Sequence, residues 1–147
     1  TVSVLAGCSK EPEVETPTTV GGQVYLEFKN TVEGKTAYEI AEKLATSETL
    51  PFMGAAMEIE PGFLSGFDNF EVTGFEKGAM FGPMMGTIPF VGYIFTLAEG
   101  ADVEAFKTSL KDNANLRWNI CTEAEELTVD SEGDKVFFLM SPKSFEE

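Results

Sequence analysis

The sequence predicts an α+β domain, an antiparallel sheet of about four to five strands with two helices on one face, and three patterns carry that expectation. Two segments repeat apolar residues at helical spacing behind good capping residues. Several others alternate, or run apolar, over the length of a strand, and the chain closes on a hairpin pattern.

Gly21-Gly22 punctuates the end of a polar stretch, and Val24-Tyr25-Leu26-Glu27-Phe28 reads as a first short strand. Thr36 and Glu39 then form a capping box, with Ala37, Ile40, Ala41 and Leu44 on one face behind it. This helix should end near Ser47, ahead of Pro51. From Phe52 to Phe67 the chain mixes Gly, Pro, Met and Phe without sustained periodicity, so it reads as irregular, with a short strand at Met57-Glu58-Ile59. Phe70 to Phe75 alternates as a strand does, and Phe90 to Leu97 is almost wholly apolar, as expected of a central strand. Asp102 caps a second helix with Val103, Phe106 and Leu110 inward and Lys107 and Lys111 outward, running to about Asn113. Glu126 to Asp130, a tight Ser131-Glu132-Gly133 turn and Lys135 to Met140 complete the hairpin.

Composition bounds the function. A chain of 147 residues has room for one domain with one core. A net charge of −15 with only ten basic residues argues against nucleic acid, where affinity begins with phosphate neutralisation. The same charge serves solubility and favours cationic partners. With no His anywhere, Ser-His and Cys-His nucleophile systems and His-ligated zinc are excluded. No glycine-rich loop stands between a strand and a helix as a phosphate cradle, no cofactor is implied, and no catalytic residue is assigned.

Near the start, Leu5-Ala6-Gly7-Cys8 resembles the lipobox of bacterial lipoproteins, in which small residues lead into a cysteine that is lipidated. Thr1 to Val4 reads as the tail of an apolar signal segment. With no initiating Met or basic region before it, the sequence is expected to lack its true start. Residues 1–7 are then the end of a signal peptide, 8–21 a lipid-attached tether rich in Pro, Thr and acids, and 22–147 a single α+β domain. Two acyl chains, at roughly 0.8 kcal/mol per buried methylene, anchor stably, and no later stretch is apolar and long enough to span a membrane. Lipidation of Cys8 leaves Cys121 without a partner, and its apolar neighbours suit a buried structural thiol.

From the first helix onward the chain also resembles small lipoproteins of Gram-positive gut bacteria, which are similar to a lipoprotein family of unknown function. The likeness lies in Pro89-Phe90-Val91-Gly92-Tyr93, in Ala114-Asn115-Leu116-Arg117-Trp118-Asn119-Ile120-Cys121, and in Gly133 to Pro142. It implies a lipidated surface protein with this α+β body and transfers no ligand or catalytic residue. This chain departs from that pattern in its longer glycine- and methionine-rich middle.

The remaining candidates compete with plain packing. Met80, Met84 and Met85 put three thioethers near Phe81. They suit a loop packed on the sheet edge, an adaptable apolar lip, or a soft-metal site that lacks the usual His and Cys partners. Phe52, Met53, Phe63, Phe67 and Phe75 either share that surface or fill the core. Arg117 beside Trp118 suits an anion-receiving stacked cation or a structural salt bridge. Asp130, Glu132 and Asp134 surround a turn, Glu123, Glu125 and Glu126 cluster before it, and Glu58 and Glu60 are the nearest approach to a carboxylate pair. The expected function is a lipid-anchored, extracytoplasmic, non-enzymatic module that binds an envelope protein, a peptide or a small ligand at the cell surface. A metal-handling protein or a carboxylate-based hydrolase is the alternative.

Overall fold

A computed structural model describes residues 19–47, 50, 54–64, 66–67, 70–83, 89–118 and 123–142. Helices α1 (Val20–Thr31) and α2 (Ala37–Ala45) come first. They are followed by β1 (Gly54–Ile59), β2 (Gly62–Phe63), β3 (Glu71–Val72), β4 (Phe75–Pro83) and β5 (Val91–Leu97). Helix α3 (Val103–Asn113) leads to β6 (Glu126–Glu132) and β7 (Lys135–Ser141). Five strands form one antiparallel sheet in the order β1-β4-β5-β7-β6, and β2 and β3 form a separate two-stranded ribbon.

β5 is the middle strand, as its apolar run requires, because a strand covered on both faces has no side free for polar residues. Its alternate side chains feed two cores. Ile94 joins Ala79, Phe81, Phe137 and Leu139 on one face, beneath Val20, Val24 and Phe28 of α1 and Ile40, Ala41 and Leu44 of α2. Tyr93 and Phe95 join Phe75, Phe138 and Met140 on the other, beneath Phe106 and Leu110 of α3 and Val72 of the ribbon. Gly92 stands opposite Phe81, whose ring lies where a Cβ would be. A bare backbone there lets the phenyl ring cross the middle of the sheet.

The α+β class, the antiparallel sheet and two helices sharing one face all hold, with one exchange of partners. The pair on one face is α1 and α2, while α3 covers the opposite face. Helix α1 corrects the strand expected at Val24 to Phe28. Val20, Val24 and Phe28 recur every four residues, and Thr19 caps the helix by accepting from the Gly22 amide at 3.1 Å. The helix begins at Val20, inside the stretch 8–21 expected to be tether.

Helix α2 carries the capping box as expected, with both reciprocal bonds between Thr36 and Glu39. Asp102 caps α3 by accepting from the Ala105 amide at 3.0 Å. The strand expected at Phe70 to Phe75 divides: Glu71–Val72 pairs within the ribbon, and β4 begins at Phe75. Met80 to Pro83, expected as a loop, belongs to β4: all four residues pair with β1, and Met80 and Phe81 pair with β5 as well. The hairpin forms, its tip shifted to Gly133-Asp134 between the paired Glu132 and Lys135. Among the described residues no helix is long and apolar enough to cross a membrane.

Candidate functional site

The apolar surface proposed by the sequence dissolves mostly into the core. Phe75 packs on Phe95 at 4.8 Å between ring centroids, Phe67 on Phe138 at 4.9 Å, and Phe81 edge-on to Phe90 at 5.9 Å. Phe75 and Phe81 are buried, and Phe67, Met80 and Trp118 are half-buried against the second core. A docking surface cannot be made of side chains already spent on packing. Met80 packs half-buried against the second core, cross-strand from Met57. Phe63 alone of the described set stands free, 72% exposed on the ribbon. Cys8, Phe52, Met53, Met84, Met85 and Cys121 lie outside the described residues.

Arg117 is exposed, with neither a salt bridge nor a ring partner among the described residues. Its amide accepts order from the Asn115 side chain by donating to Oδ1 at 2.9 Å. The cation that does meet a ring is Lys29, 5.6 Å above Tyr25.

The hairpin acids have structural work. Asp130 pairs with Lys107 of α3 at 3.6 Å and accepts from the Ser131 amide at 2.9 Å, and Asp134 pairs with Lys135 at 3.3 Å. Glu132 accepts from the Tyr25 hydroxyl at 3.2 Å. Burial, then the charges of Asp130 and Glu132, push the Tyr25 phenol well above its ordinary value, so it stays a donor. Glu126 accepts from the Gly21 amide at 3.2 Å, placing a carboxylate at the positive end of α1. Among the described residues no group of three potential ligands is arranged to hold a metal ion.

The structure opens a cleft of about 740 Å³ where the N-terminus of α2 passes over the ends of β1, β4, β5 and β7. Three of the nine lysines of this acidic chain, Lys35, Lys77 and Lys135, line it. Glu58, Glu60 and Glu76 line it too. Lys135 is held by Asp134, whereas Lys35 and Lys77 make no ion pair among the described residues. Both signs of charge thus share one concave surface without neutralising each other.

The sequence had flagged Glu58 and Glu60 but not the lysines, which come from three distant segments with nothing local to join them. The cleft holds no thiol and no His, and the hydroxyl of Thr36 is committed to capping α2. Its three carboxylates are exposed. The arrangement can bind and orient a charged ligand.

Compared with known proteins, the chain matches no family model, no curated protein and no solved structure.

Proposed function

We propose that this chain is a lipid-anchored, extracytoplasmic binding module without catalytic activity, and that the cleft at the α2 N-terminus takes a small polar ligand bearing both an anionic and a cationic group. The convergence of Lys35, Lys77 and Lys135 on exposed Glu58, Glu60 and Glu76 carries the reading. A volume of about 740 Å³ falls within the range of small-molecule sites. Unpaired lysines and carboxylates are free to meet a ligand without first breaking a salt bridge. The lipid anchor rests on Leu5-Ala6-Gly7-Cys8, and the net charge of −15 keeps a tethered domain clear of an anionic bilayer.

Two experiments test the two halves. In a lipoprotein-processing host, the native sequence behind a complete signal peptide should fractionate with membranes, and Cys8→Ala should release it. Membrane retention of the Cys8→Ala protein would overturn the anchor. For the cleft, an amide chemical-shift titration with trialanine, whose free termini supply both charges, should give millimolar binding with shifts gathered at Lys35 to Tyr38, Lys77 and Thr96. Lys35→Glu with Lys77→Glu should abolish the response. Absence of saturable shifts in the native protein, or shifts untouched by the double substitution, would contradict the site.

A further inference from the structure

We infer that the free edge of β1 accepts an extended, lysine-bearing peptide segment of a partner protein as a sixth strand of the sheet. Among the described residues no strand pairs with the outer side of β1. Its six residues, Gly54 to Ile59, span about 20 Å and offer a row of backbone donors and acceptors. Protected edges carry lysine, proline or a covering element, and β1 has neither residue type within it.

The strand is also held ready. Helix α2 backs it on one face, where Ala56 packs against the first core and a Cβ on Gly54 would collide with the Ala45 carbonyl oxygen. On the other face Met57, cross-strand from Met80, is 55% exposed. An added strand would cover this thioether with one of its own alternate side chains, which is how strand addition gains specificity beyond its backbone bonds.

Charge selects the partner. From Leu44 to Glu76 the sequence carries six carboxylates and no basic residue, and the only charge within β1 is Glu58. A second copy of the chain brings another −15, so edge-to-edge self-pairing is opposed at long range while a cationic strand is attracted. This inference does not depend on the cleft's ligand, because it uses backbone groups of β1 and the face bearing Met57, although Glu58 and Ile59 at the end of β1 also line the cleft.

The test is fluorescence anisotropy of a labelled peptide, Lys-Val-Thr-Val-Lys-Val-Thr-Lys, with the full chain. Saturable binding that weakens with salt is expected. A peptide N-methylated at alternate residues should lose at least tenfold in affinity, as should Met57→Lys, which places an edge lysine on an already exposed position. The peptide with Glu in place of Lys should not bind. Equal affinity for the N-methylated peptide would show attraction to acidic surface alone and overturn strand addition. Concentration-dependent dimerisation in place of peptide binding would make a second copy the occupant and equally overturn the inference, as would no binding at all.

Discussion

The two edges of the sheet are finished in opposite ways, and the contrast separates structural charge from available surface. β6 pairs with β7 on its inner side, and its Glu126, Thr128 and turn-end Glu132 meet α1 through side chains. Gly21 sits so close that a Cβ would collide with Thr128 Oγ1, Tyr25 donates to Glu132 and Ser131, and Lys107 reaches Asp130 from α3. β1 presents Ala55, Met57 and Glu58 to solvent, pairs with β4 on its inner side and is backed by α2 on one face. Most acids of the hairpin are therefore fasteners, whereas Glu58 and Glu60 at the end of β1 make no ion pair among the described residues. A cluster of carboxylates in sequence says nothing of which role it has.

The contrast breaks most sharply at Gly21. Gly21→Val should drive a side chain into Thr128 and Glu126, lift α1 from β6, and cost about 2–3 kcal/mol in urea unfolding despite improved helix propensity. A stability unchanged by this substitution would mean that the closed edge is not closed by contact.

Tyr25→Phe should come next, at about 1 kcal/mol, by removing the bonds to Glu132 and the Ser131 carbonyl. It also changes the pH profile. A phenol whose folded value is raised contributes stability that is fully present below its unfolded value of 10.0 and is lost as pH rises through the folded one. Native protein should thus lose stability on the alkaline side more steeply than Tyr25→Phe. Absorbance at the phenolate band should show no Tyr25 ionisation near pH 10, the tyrosine difference between the two proteins reporting it.

Ser141 lies on β7 opposite Glu126, and its hydroxyl is buried without a hydrogen-bond partner among the described residues. Ser141→Ala should stabilise by about 0.5–1 kcal/mol, because an unsatisfied buried hydroxyl is lost with little change of volume. Met57→Lys on the open edge should leave stability within about 0.5 kcal/mol, the side chain being mostly in water already. A large loss there would show that Met57 belongs to the core and that the edge is not free.

Much of the fold was legible. Thr36 with Glu39 and Asp102 ahead of Val103 announce α2 and α3 because capping partners lie within one turn of each other in sequence. β5 and the hairpin were legible from apolar runs bounded by turn residues. Helix α1 was not. Val24 to Phe28 is apolar and aromatic enough to fit either period, and Gly21-Gly22 reads as a breaker until Glu126 and Thr128, over a hundred residues away, show why a glycine stands there. Gly82 and Pro83 similarly disguised the end of β4, whose Phe81 depends on Gly92 in the next strand. The candidate site was half legible: Glu58 and Glu60 are neighbours in sequence, but their lysine companions meet them only through sheet pairing and the entry of α2.

Hydrogen–deuterium exchange of the full chain, with and without the lysine-bearing peptide, tests the open edge most directly. The two-edge account predicts slowed exchange in Gly54 to Ile59 and none in Glu126 to Glu132. Protection appearing at Glu126 to Glu132, or at neither strand, would contradict it.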